Sequence, residues 1–233
     1  MHKKDTQSCS NCGFSPFCTL EEAEANSRWV NQVSSAVKQQ HVLKKKQSLY
    51  FPKTTFHNLY AIKSGCLKTY EVDSDGNELI RGFYFAGEIL GFDAIARGDY
   101  RYSAIALSDA LVCEIPYIHF TELLCSYPNL QKQILYLISQ QLAIGSYLNF
   151  ITAEQRLAAF LIDLSKRLVV CEQHREFLLP MSRQDIGNYL GLTAETISRL
   201  FTQFKNNKII SIEHKKIQLL QLDQLKSIAG VVN

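Results

Sequence analysis

Hydrophobic and polar positions along the chain fall into stretches of different period. From residue 28 to about residue 120, apolar residues come in short runs separated by turn formers. Leu59–Tyr70 holds Gly65 between two strand-like runs. Asp73-Ser74-Asp75-Gly76-Asn77-Glu78 is a turn cluster between Tyr70-Glu71-Val72 and Leu79-Ile80-Arg81-Gly82-Phe83. Short strands punctuated by Gly- and Asp-bearing turns predict a β-sandwich or barrel.

After Pro128-Asn129 the period changes. Leu130, Ile134, Leu137, Ile138, Leu142 and Leu148 recur at steps of three and four, and no glycine intervenes before Gly145. That spacing predicts one apolar face of a helix running to about Ile151. Such a helix spans about 35 Å at 1.5 Å per residue, which suits a subunit interface or a spine between domains. The plainer alternative is a helix packed on its own barrel. From Ala153 through Val170 the pattern is helical again.

The segment from Ser182 to Phe204 predicts two short helices joined by a sharp turn. Ser182 and Asp185 form a capping pair for the first, whose Ile186 and Leu190 face inward. Gly191 ends that helix because glycine tolerates positive φ, and Leu192 plugs the turn. Thr193 caps the second helix. There Ile197, Leu200, Phe201 and Phe204 fall on the inner face, leaving Glu195, Ser198, Arg199, Thr202 and Gln203 outside. The alternating run Ile209–Leu220, polar at its centre, predicts a β-hairpin. This is the pattern of a winged helix-turn-helix, in which side chains near the start of the second helix reach base edges. Arg199 can give two parallel hydrogen bonds to guanine O6 and N7, Glu195 can accept from cytosine N4, and Ser198 can approach a base or a thymine methyl. Each good contact supplies about 1–3 kcal/mol of discrimination. The competing reading is an αα-hairpin whose outer residues are merely solvated.

Charge favours the first reading. The net charge is +3 overall. From Ala153 to Asn233 there are 11 Lys/Arg against 8 Asp/Glu, whereas the preceding residues hold 14 of each. The whole excess lies around the helix-turn-helix, where it fits phosphate contact. The 233 residues suffice for two compact domains and a connecting element. No secretory signal opens the sequence, and no run approaches the roughly 18 apolar residues of a membrane span. A cytoplasmic protein is expected. No nucleophile elbow or Gly-rich phosphate loop points to an enzyme.

Seven cysteines change the picture again. Cys9, Cys12 and Cys18 form C-x2-C-x5-C, with Gly13 and Pro16 shaping a loop that can wrap a ligand. Three thiolates leave a tetrahedral zinc or a cubane iron–sulfur cluster one ligand short. Composition does not choose the fourth among Cys66, Cys113, Cys125 and Cys171.

Taken together, these residues resemble the FNR group (fumarate and nitrate reduction regulators) of the CRP/FNR superfamily. The resemblance is carried by Gly187–Leu200, Gln155–Phe160, Ala86–Ala94, Leu111–Pro116 and the N-terminal cysteine arm. It implies an α+β chain. A cysteine-bearing arm (1–27) precedes a cyclic-nucleotide-binding-like β-barrel, or jelly roll (28–120). A dimerisation helix (121–152) and a winged helix-turn-helix domain (153–233) follow. It implies a homodimer reading a palindrome resembling TTGAT–N4–ATCAA through Glu195, Ser198 and Arg199. The implied cofactor is an oxygen-labile [4Fe-4S] cluster on Cys9, Cys12, Cys18 and Cys113, the last being the cysteine of the Val-Cys-Glu-Ile-Pro segment. Cys66, Cys125 and Cys171 match no ligand position.

The resemblance also implies that the turn Asp73–Glu78 contacts RNA polymerase, with a merely solvated turn as the equal alternative. Cyclic-nucleotide binding is not expected, because Phe92 and Tyr102 stand where the cyclic-AMP branch has a glutamate and an arginine. A same-fold regulator with zinc or redox-active thiols is the alternative. One departure stands out. Oxygen-switched members of the group carry acidic charge on the dimer helix, which keeps the cluster-free protein monomeric, whereas residues 128–151 here hold no Asp or Glu and only Lys132. A blunted oxygen response is the expectation.

Overall fold

A computed structural model describes residues 38–145, 152–168 and 175–230. Two compact units divide it. In the first, eight strands make two antiparallel four-stranded sheets. One has the order β1 (Gln39–Leu43), β8 (Ala110–Pro116), β3 (Asn58–Ser64), β6 (Ile89–Leu90). The other has β2 (Ser48–Tyr50), β7 (Ser103–Ala106), β4 (Cys66–Val72), β5 (Glu78–Phe85). The expected jelly roll is present as two packed sheets, which do not close into a barrel among the described residues. Leu43, Tyr60, Ile62 and Val112 of one sheet pack with Tyr50, Leu67 and Ala104 of the other. Tyr50 stacks on Tyr100 with centroids 4.1 Å apart. The Tyr100 hydroxyl donates to the Asn58 carbonyl at 2.6 Å. Aromatic rings thus fill much of this interior.

The outer face of the first sheet is covered by helices. Helix α1 (Tyr117–Ser126) follows β8 directly, and α2 (Pro128–Gly145) follows α1. Phe120 of α1 and Leu130 and Ile134 of α2 pack against Leu59, Ala61, Ile89, Cys113 and Ile115. The apolar step of four from Leu130 to Ile134 is the one the sequence displays. Leu135 and Tyr136, by contrast, are 66% and 63% exposed.

The second unit is helical with a small sheet. Helix α3 spans Ala153–Leu168, α4 Arg183–Leu190, α5 Ala194–Asn206 and α6 Leu222–Ala229. Strands β10 (Ile210–Glu213) and β11 (Lys216–Leu219) form the predicted hairpin, with His214 at φ 55° in its turn. Strand β9 (Glu176–Leu178), which no pattern in the sequence announced, pairs with β11. Leu157, Leu161 and Leu164 of α3, Ile186 and Leu190 of α4, and Ile197 and Phe204 of α5 are almost wholly buried.

Candidate DNA-reading site

The helix-turn-helix is built from local chemistry. Helix α4 starts at Ser182, whose Oγ accepts from the Asp185 amide at 3.0 Å, while the Asp185 carboxylate accepts from the Ser182 amide at 2.9 Å. This reciprocal pair satisfies donors that the first helical turn cannot. The helix ends at Gly191, which sits at φ 66°. The amides of Gly191 and Leu192 both donate to the Gly187 carbonyl. That closure brings the Leu192 carbonyl oxygen to 2.5 Å from where a Gly187 Cβ would lie, so position 187 admits only glycine without a backbone shift. Thr193 then caps α5 by accepting from the Thr196 amide at 3.1 Å.

Helix α5 buries Ile197, Phe201 and Phe204. Leu200, expected inside, is half-buried. Glu195, Ser198, Arg199, Thr202 and Gln203 are exposed, so the predicted readers share one solvent face. Arg199 Nη2 donates to Glu195 Oε1 at 2.5 Å, with the two side chains 79% and 72% exposed. Ser198 Oγ donates back to the Ala194 carbonyl at 2.8 Å. The wing carries exposed His214 and Lys215 at its tip, and Lys216 pairs with Glu176 at 2.5 Å.

Two arginines escaped the sequence reading. The Arg183 guanidinium lies over the Phe201 ring at 3.4 Å and joins the first turn of α4 to α5. Burial favours its neutral form, and its Nη1 is buried without a hydrogen bond. Arg156 Nη1 donates to the Leu190 carbonyl at 2.9 Å, across 34 residues of sequence. No local pattern marks either contact.

The cysteines divide differently. Cys9, Cys12, Cys18 and Cys171 lie outside the described residues. Cys113 is 5% exposed on the helix-facing side of β8, in register with Gln40 and Ala61. Its neighbour Glu114 faces the opposite way, accepting from His41 at 2.6 Å and pairing with Lys38 at 3.4 Å. Cys66 is buried and Cys125 exposed. Among the described residues, no three His, Cys, Asp or Glu side chains converge as a metal site. Also among them, no helix is long and apolar enough to cross a membrane.

Comparison with known proteins agrees with this geometry. The Crp-like helix-turn-helix domain family matches residues 155–228, and the cyclic nucleotide-binding domain family matches residues 40–127. The fumarate and nitrate reduction regulatory protein of Vibrio cholerae is 38% identical over 231 residues, covering 96% of this chain and 90% of the relative. The protein of the same name from Escherichia coli is 37% identical, covering 95% and 90%. The chain belongs to the FNR group of the CRP/FNR transcription regulators. The structure of FixK2 from Bradyrhizobium japonicum superposes with a TM-score of 0.74 at 25% identity, covering 84% of this chain and 98% of that one. A CooA variant from Carboxydothermus hydrogenoformans, at 22% identity and a TM-score of 0.68, shares the fold. The α4–α5 unit lies within the matched Crp-like helix-turn-helix domain of this DNA-binding regulator.

Proposed function

We propose that this regulator is an oxygen-responsive, cytoplasmic homodimer that reads a TTGAT–N4–ATCAA-like palindrome under the control of a [4Fe-4S] cluster. The observation that carries the DNA half is the exposed face of Glu195, Ser198 and Arg199 on a helix capped by Thr193 and joined to α4 through a glycine turn. Arg199 reads guanine, Glu195 accepts from cytosine, and Ser198 meets a neighbouring base. The net charge of +3 in residues 153–233 supports phosphate binding.

Cys113 fits the role of a cluster ligand. Its thiol sits in a wall of Leu59, Ile89, Ile115 and Phe120, which excludes water. Cys9, Cys12 and Cys18 supply the other three ligands in this reading. Bound there, the cluster supplies sensitivity to oxygen. Leu130 and Ile134 of α2 lie in the same apolar cluster as Cys113 and would shield a cluster held there. Cyclic nucleotides have no role in this reading, since Phe92 and Tyr102 stand where the cyclic-AMP branch has its glutamate and arginine. The turn at Asp73, flanked by exposed Val72 and Leu79, is the surface offered to RNA polymerase.

Anaerobic purification with iron and sulfide analysis tests the cluster. Broad visible absorption that changes in air is expected. A colourless, zinc-containing protein establishes the thiol or zinc alternative instead.

A further inference from the structure

Helix α3 grips the helix-turn-helix from behind. Its own start is fixed by a reciprocal cap, in which the Thr152 amide donates to Gln155 Oε1 at 2.8 Å and the Gln155 amide to Thr152 Oγ1 at 3.3 Å. From this first turn two side chains reach out. Glu154 Oε1 accepts from Gln203 Nε2 of α5 at 3.2 Å. Arg156 reaches the Leu190 carbonyl at the end of α4.

The Arg156 contact falls where the turn needs it. The last carbonyls of any helix lack intrahelical donors. Here both turn amides, Gly191 and Leu192, go to Gly187, so neither serves Leu190. The Arg156 guanidinium donates to that carbonyl, and its positive charge suits the negative end of the helix. Nη1 also lies 3.4 Å from where a Gly191 Cβ would stand, so the guanidinium is seated against the bare backbone of the turn. One side chain thus holds the hinge between the two helices.

We propose that Arg156 is a positioning residue for DNA reading. It touches no base. It fixes the α4–α5 turn, and through that turn the angle at which Ser198 and Arg199 are presented. The proposal rests on the DNA-reading function stated above.

The test uses the full chain with Arg156→Met and Arg156→Lys. Affinity is measured for a duplex carrying the palindrome and for a scrambled duplex of equal length. Losing a hydrogen bond from a charged donor is expected to lower specific binding about 10-fold or more in Arg156→Met, while scrambled-duplex binding holds. Arg156→Lys, which keeps a cationic donor, is expected to recover part of the ratio. Amide hydrogen exchange at Gly191 and Leu192 without DNA is expected to quicken about 10-fold in Arg156→Met. This arm does not depend on which sequence the protein reads, and Arg156→Lys carries the test should the Met variant not fold. An unchanged specificity ratio with unchanged exchange overturns the proposal. A wild-type protein that does not prefer the palindrome, with exchange still quickened in the variant, overturns the assigned sequence and leaves the turn-holding role supported.

Discussion

Arg199 and Glu195 hold each other across one turn of α5, Nη2 to Oε1 at 2.5 Å, in the chain without DNA. The two side chains expected to read opposite members of a base pair are therefore paired with each other first. An exposed pair of this spacing contributes only about 0.3–0.5 kcal/mol, so DNA can reorganise it at small cost. The pair does hold both groups on the reading face.

Replacing Arg199 with Ala is expected to cost about 1–3 kcal/mol of discrimination at one symmetric position of each half-site. Binding to sequences already mismatched there should change little. Competition against a panel of single-base variants checks this. If all sequences weaken equally, Arg199 contacts phosphate.

The turn offers a sharper structural prediction. A methyl at position 187 collides with backbone, at 2.5 Å from the Leu192 oxygen and 3.3 Å from the Ala194 nitrogen. Neither neighbour is a side chain that can swing away. Gly187→Ala should destabilise the domain by about 1–3 kcal/mol. Specific DNA binding should fall with it, because the same shift tilts α5. Thermal unfolding measured beside DNA affinity decides it; an unchanged melting temperature would mean the turn relaxes freely.

Cys113→Ser should abolish the visible chromophore of anaerobically purified protein while leaving the fold intact. The substitution is nearly isosteric, but it places a hydroxyl among Leu59, Ile115 and Phe120. A cost of about 1–3 kcal/mol is expected from burying it. Circular dichroism and absorption spectra together separate the two effects. An intact chromophore would assign the fourth ligand elsewhere.

The turn at Asp73 carries a pH signature. Its carboxylate accepts from the Asn77 amide at 2.8 Å and the Asp75 amide at 2.9 Å. Hydrogen bonds from the Asn77 backbone and side chain hold its pKa below the ordinary value of 3.8. A lowered folded pKa means the turn's stabilisation is complete above 3.8 and is lost as pH falls through the lower, folded value. An NMR titration of the Asp73 carboxyl should show a midpoint below 3.8. A midpoint at or above it would show the turn open in solution.

What the sequence displayed was local. Ser182 with Asp185, Gly191 and Thr193 act within a few residues of themselves, and every one takes its expected place. The inner and outer faces of α5 followed from a period of 3.6, with Leu200 at their border. The spacing of Glu195 and Arg199 could also have announced their pairing. Contacts made across the fold left no such trace. Arg156 meets Leu190 over 34 residues, and Arg183 meets Phe201 through an aromatic face that any core position supplies. Strand β9 holds three residues, too few to show alternation. Whether the strands close into a barrel depends on edge pairing that short runs do not reveal, and they form two open sheets instead. For the cysteines, spacing indicated a metal, but the burial of Cys113 against α1 and α2 depends on which face of β8 the helices cover.

Leu130 and Ile134 of α2 bury against the sandwich, while Leu135 and Tyr136 stand exposed beside Lys132. Exposed apolar side chains on a helix favour burial against a partner. In a symmetric dimer a charge near the two-fold axis meets its own copy, so one acid per chain there becomes a repelling, desolvated pair. Residues 128–151 contain no acid, so this opposition to pairing is absent. The cluster-free protein should therefore sediment largely as a dimer at micromolar concentration. Introducing the missing charge by Leu135→Glu should weaken that dimer at least about 10-fold, in line with 1.4 kcal/mol or more of repulsion and desolvation. Sedimentation velocity of both proteins, with and without the cluster, reads this directly. A cleanly monomeric cluster-free wild type would show that the neutral helix does not hold the pair and that the oxygen response is not blunted in this way.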